Sequence, residues 1–116
     1  MRAFEIKNVV SVFQVSDMDR ALSWYQKWLG EPDVIPMEGV AEYALSESAW
    51  LQLSVEEKDK VEGSSIVIGV EDIHKCHEAL EKVGIEVGEI IDYEVVLVFD
   101  IQDVDGNRIA FAQEVE

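Results

Sequence analysis

The chain repeats itself. FQVSDMDRALSWYQKWLG, from Phe13 to Gly30, lies over IGVEDIHKCHEALEKVG, from Ile68 to Gly84. Val15 matches Val70 and Asp17 matches Asp72, both 55 residues apart. In each copy a β-branched run meets an Asp that can cap a helix, then apolar residues recur at three- and four-residue spacing, then comes Gly. A unit of this size makes one small sheet with a bare face. It must bury that sheet against its copy.

The pattern predicts the same order of elements twice. In the first unit VVSVFQV, Val9 to Val15, reads as a strand. A helix follows, with Met18, Ala21, Leu22, Tyr25, Trp28 and Leu29 on one apolar face. Gly30 ends it and Pro32 prevents its continuation. Three strands come next, near Asp33–Met37, Ala41–Ser46 and Ala49–Val55. The charged stretch EEKDKVEGS, 56–64, reads as a linker. The second unit has a strand at Ser65–Val70 and a helix burying Ile73, Cys76, Leu80 and Val83. Its later strands are expected at Glu86–Ile91, Val95–Gln102 and Arg108–Val115. The expectation is one α+β domain over 1–116, with modules at about 9–55 and 65–115. Two βαβββ modules would form an open eight-stranded mixed sheet around a cleft, with one main helix per module packed outside.

A chain of 116 residues, 48% of them hydrophobic, can build a core without staples. Asp and Glu number 25 against 9 Lys and Arg, a formal net charge of −16. That balance excludes nucleic acid, whose phosphates need a basic surface, and anionic membranes. It is compatible with a cationic ligand, and equally with an acidic surface that only keeps the chain soluble. The single Cys76 forms no internal disulfide, MRAFEIKN has no signal-like apolar core, and no run approaches the ~20 apolar residues of a membrane span. A cytoplasmic location is the expectation.

Period-2 alternation predicts which side chains face the cleft. With Ser11, Phe13 and Val15 under the first helix, Val10, Val12 and Gln14 face the other way. With Leu51, Leu53 and Val55 under the helix, so do Trp50, Gln52 and Ser54. The second module contributes Ser65, Val67 and Gly69, then Arg108, Ala110 and Ala112. Small, apolar and neutral residues with one Trp form a surface that binds a compound more readily than it activates water. Trp50 is the aromatic best placed to stack on a ligand. Alternation alone does not distinguish such a cleft from a filled core or a dimer interface. Trp24, at the margin of its helix, is a candidate dimer contact.

Other signals have plain readings. DVDGNRIAFAQE, Asp103 to Glu114, has the acidic spacing of a calcium loop, but Arg108 stands where that loop needs Gly. Asp105, Gly106 and Asn107 suit a hairpin turn instead. His74 and His77 share a helix face at zinc-binding spacing, yet that helix packs away from the cleft. Cys76 falls on the buried face as an inert thiol. No nucleophile triad or phosphate loop is present.

VFQVSDMDRALSWYQKWLG, VIGVEDI and DVDGNRIAF, in this order, resemble the vicinal-oxygen-chelate superfamily of glyoxalase I, extradiol dioxygenases and bleomycin-resistance proteins. The resemblance runs from about Val9 to Gln113. It implies that metal-dependent relatives place four ligands, usually His or Glu, at positions held here by Val10, Gln52, Ser65 and Ala110. None of these is a His or a carboxylate, so no metal and no cofactor are expected. The resemblance then implies a metal-free binding protein, commonly a homodimer, for a small cationic or aromatic molecule. The catalytic residues of such a chain are unknown. The alternative is a metal-dependent lyase, isomerase or dioxygenase with ligands elsewhere among the 25 carboxylates. A third reading keeps the fold only as an interaction module.

Overall fold

Two aspartates set where the helices begin. In the computed structural model, which describes residues 2–115, Asp17 Oδ1 accepts from the Arg20 amide at 3.2 Å. Asp72 Oδ1 accepts from the Lys75 amide at 3.1 Å. Each cap satisfies a first-turn donor and starts α1 (Met18–Leu29) or α2 (Ile73–Lys82). Gly30 closes α1 with φ of 75°. Past α2, Gly84 takes φ of 87°. There the Ile85 amide reaches the Leu80 carbonyl at 3.0 Å and the Gly84 amide reaches Glu81 at 3.1 Å. This crossed pair satisfies carbonyls of the last turn and needs the positive φ that Gly supplies.

The strands are β1 (Val9–Val15), β2 (Val34–Met37), β3 (Val40–Ser46) and β4 (Ala49–Val55) in the first module. The second has β5 (Ser65–Gly69), β6 (Ile91–Asp92), β7 (Val96–Gln102) and β8 (Arg108–Glu114). Each βαβββ module forms a four-stranded mixed sheet, ordered β1-β4-β3-β2 and β5-β8-β7-β6. β1 runs parallel to β4 and β5 to β8, while the other pairs are antiparallel. Among the described residues the eight strands make two open sheets with no ladder between them. The linker holds one short 3-10 turn, Lys58–Lys60.

One expected strand is nearly absent. Of Glu86–Ile91, only Ile91 enters β6. The Gly88 amide donates to Asp100 at 2.9 Å, but its carbonyl turns to His77 Nε2 at 3.0 Å. A Cβ on residue 88 would lie 3.1 Å from the Asp100 carbonyl. The segment is held to the sheet by single contacts, and a histidine of α2 takes a group a strand would have used. Val55 and Val83, expected inside, are 43% and 44% exposed. Val55 ends its strand, and Val83 is the cap residue where α2 stops.

The core lies on the helix side of both sheets and is continuous. Phe13, Val15, Tyr43, Leu51 and Leu53 pack with Ala21 and Tyr25 of α1, while Phe99, Ile101, Ile109 and Phe111 pack with Ile73 and Leu80 of α2. Trp28 of α1 reaches the second module, its ring edge-on to Phe111 at 5.8 Å. α1 and α2 both border a cavity of about 290 Å³ between Trp28, Cys76, Leu80 and Phe111. The helices are therefore neighbours, and the faces that turn away from them are left open. Val10 is 43% exposed, Val12 48% and Val67 71%.

The turn at 103–107 fastens the modules together. Asp103, nearly buried, accepts from the Asp105 and Asn107 amides at 2.9 Å, Asn107 Nδ2 at 2.9 Å and the Tyr25 hydroxyl at 2.7 Å. Asn107, fully buried, also donates to the Gln14 carbonyl and accepts from the Ser64 amide, both at 2.9 Å. Asp105 accepts from the Ser16 hydroxyl at 2.7 Å. A carboxylate with four protein donors is occupied as a structural group. Gly106 turns the corner with φ of 84°.

Candidate functional site on the open sheet faces

Strand register sorts the open faces into rows. On the first sheet Trp50 lies between Val10 on β1 and Ala44 on β3. Gln52 lies between Val12 and Glu42, and Ser54 between Gln14 and Val40. On the second sheet Arg108 lies between Ser65 and Gln102, and Ala110 between Val67 and Asp100. The two faces are the same arrangement built twice, so Glu42 and Asp100 hold equivalent places. Trp50 and Arg108 are likewise equivalent.

Val10, Val12, Gln14, Trp50 and Gln52 therefore share one face, and Ser65, Val67, Arg108 and Ala110 share another. The chain does not bring the two groups into one ladder. Their degree of commitment differs. Gln14 Oε1 accepts from the Glu62 amide at 3.0 Å and so anchors the linker. Ala110 is buried, its methyl set low between the longer Val67 and Asp100. Trp50 and Gln52 are half-buried.

Two charged side chains on these faces, Glu42 and Asp100, lie on strands whose alternation the sequence reading does not follow. Glu42 Oε2 accepts from Gln52 Nε2 at 2.8 Å. Asp100 Oδ2 pairs with Arg108 Nε at 3.2 Å. Both would have been found by carrying the alternation one strand further, into Ala41-Glu42-Tyr43 and Phe99-Asp100-Ile101, whose odd-numbered members are buried.

The metal positions implied by resemblance do not fit a divalent ion. Val10 and Ala110 have no donor atom, and Ser65 and Gln52 offer neutral oxygens only, with Gln52 already bonded to Glu42. Among the described residues no three His, Cys, Asp or Glu side chains converge to hold a metal. His77 is spent on the Gly88 carbonyl and on Glu81, 3.3 Å from Nδ1, and its ring sits edge-on to Phe99. His74 is exposed beside it. Burial pushes the Cys76 thiol up, away from thiolate. Trp24 packs on Tyr25 and Trp28 at 4.7 and 5.9 Å.

Residues 7–111 match the family model of the glyoxalase/bleomycin resistance protein/dioxygenase superfamily. The chain belongs to that superfamily. Its fold is similar to a glyoxalase/bleomycin resistance protein from Catenulispora acidiphila DSM 44928, at 27% identity and a TM-score of 0.83. That match covers 93% of this chain and 98% of the other. TnmS3, an antibiotic-binding protein from Streptomyces sp. CB03234, has the same fold at 17% identity and a TM-score of 0.76, with 99% of each chain covered. So does a lactoylglutathione lyase from Agrobacterium tumefaciens, at 15% identity and 0.74, with 90% of each covered. No curated protein matches the chain. One fold thus carries an antibiotic-binding protein and a lyase among these neighbours, and the scaffold alone does not decide between such roles.

Proposed function

We propose that this glyoxalase-superfamily chain binds a small aromatic or cationic molecule without a metal, in a cleft completed by a second copy. The carrying observation is the open face of the first sheet, where Trp50 stands beside Gln52 and Glu42 while the usual ligand positions hold Val10, Gln52, Ser65 and Ala110. An indole at the surface gives a stacking platform beside the Glu42 carboxylate, and the usual ligand positions lack the His and carboxylate donors that would hold a metal. The antibiotic-binding role of TnmS3 supports the same reading by analogy of fold. The dimer is supported by the exposed valines Val10, Val12 and Val67, which a second copy would cover. A cytoplasmic setting agrees with the lone, unpaired Cys76.

Fluorescence of the tryptophans, titrated with planar aromatic cations and neutral aromatics, tests the reading. Saturable quenching that Trp50→Leu abolishes is the expected result. No saturable change with any of them would sink it. Elemental analysis tests the competing metal-dependent lyase, isomerase or dioxygenase: stoichiometric bound metal, with activity restored by a divalent ion, would favour that enzyme instead.

A further inference from the structure

The two open faces repeat each other in backbone but not in charge. Asp100 on β7 is neutralised by Arg108, which stands at the place Trp50 holds on the first sheet. Glu42 on β3 is the counterpart of Asp100, and its near neighbour on β4 is the indole instead of a guanidinium. Its one hydrogen bond, from Gln52 Nε2 at 2.8 Å, is to a neutral group. Among the described residues no Lys, Arg or His pairs with it. Glu42 is half-buried, so water screens it less than a fully exposed carboxylate.

We infer that Glu42 and Trp50 together form a receptor for a planar aromatic cation, with Glu42 the residue that selects for positive charge. This rests on the binding role proposed above and assigns its charge preference to one side chain. Glu42 precedes Ala44 by two residues along β3, and Ala44 is the cross-strand partner of Trp50. Carboxylate and indole are therefore diagonal neighbours on one face, with backbones roughly 7–8 Å apart. A flat ring lying on Trp50 spans that distance, and a charge on its far edge meets the carboxylate. Ala44 keeps the side of the indole toward Glu42 low. The indole face also favours a cation over a neutral ring. Gln52, hydrogen-bonded to Oε2, fixes the carboxylate in place before the ligand arrives. The net charge of −16 draws cations to the surface from a distance. The second sheet, self-neutralised through Asp100 and Arg108, makes no such demand.

Isothermal titration with N-methylquinolinium and with neutral quinoline, at a pH where quinoline is uncharged, tests this on the full chain. The wild type binds the cation more tightly. Glu42→Gln weakens cation binding by about tenfold, the scale of one charge-assisted contact, and leaves quinoline within about twofold. Asp100→Asn leaves the preference for the cation intact. Trp50→Leu weakens both probes. Equal affinity of the wild type for the two probes, or a cation affinity that survives Glu42→Gln, would overturn the assignment while leaving the binding role standing. Failure of both probes to bind overturns the binding role as well.

Discussion

Asn107 is a small polar residue with no exposed surface. Its side chain holds Asp103, the Gln14 carbonyl and the Ser64 amide at once. Asn107→Ala removes three hydrogen bonds, one buried and two part-buried, and the loss is about 3 kcal/mol at about 1 kcal/mol for each. Chemical denaturation measures it; a loss below about 1 kcal/mol would show that water replaces the amide. Tyr25 donates to the same Asp103, and burial, then that carboxylate, pushes its hydroxyl well above the ordinary tyrosine range. Tyr43 donates to the Gly30 carbonyl and is pushed up to about 12, first by burial and then by Glu31 and Asp33. Both folded values lie above the ordinary 10.0. The folded state thus holds more protons above that pH, and stability falls as pH rises. The contribution of Tyr43 is complete below pH 10.0 and lost as pH passes about 12. In a Tyr93→Phe background, tyrosinate absorbance should appear together with loss of the circular dichroism of the fold. Ionisation of both hydroxyls well before unfolding would contradict the geometry.

Helices and strands differ in how far local sequence decides them. The bounds of α1 and α2 follow from side chains within one turn of each end: Asp17 and Gly30, Asp72 and Gly84. Asp72→Ala removes the cap at Lys75 and costs about 1 kcal/mol, read as a lower thermal midpoint; an unchanged midpoint would mean that packing of Ile73 alone starts the helix. β6 shows the opposite case. The stretch 86–90 has strand-like composition, yet His77 and Asp100 hold it by single bonds, and these partners lie 11 and 12 residues from Gly88. On β4 the alternation is plain: Leu51 and Leu53 are fully buried, while Trp50 and Gln52 are half-buried. On β3 and β7 Glu42 and Asp100 alternate with buried neighbours, and only the strand register shows which residues they oppose.

At the scale of the whole molecule, the two modules share one core through their helices and leave two sheet faces open. A second copy would cover them, and Val67, at 71% exposure, is the sharpest probe. Val67→Glu places a charge on that face without touching the core. The variant should sediment as a monomer with unchanged secondary structure, where the wild type sediments as a dimer. A monomeric wild type, or a dimer that persists in the variant, would remove the second copy from the proposal.

The amino-acid order by itself determined the two modules, the helix ends, the DVDGN turn and the absence of His or carboxylate at Val10, Gln52, Ser65 and Ala110. Each depends on contacts within a few residues or on what atoms a side chain possesses. Tertiary structure alone decided that α1 and α2 border one cavity, that Asp103 and Asn107 bind one module to the other, and that Asp100 has an ion-pair partner while Glu42 does not. Those outcomes join residues on different elements, some of them tens of positions apart. A period-2 pattern tells a side chain which face to take, but not what lies across from it.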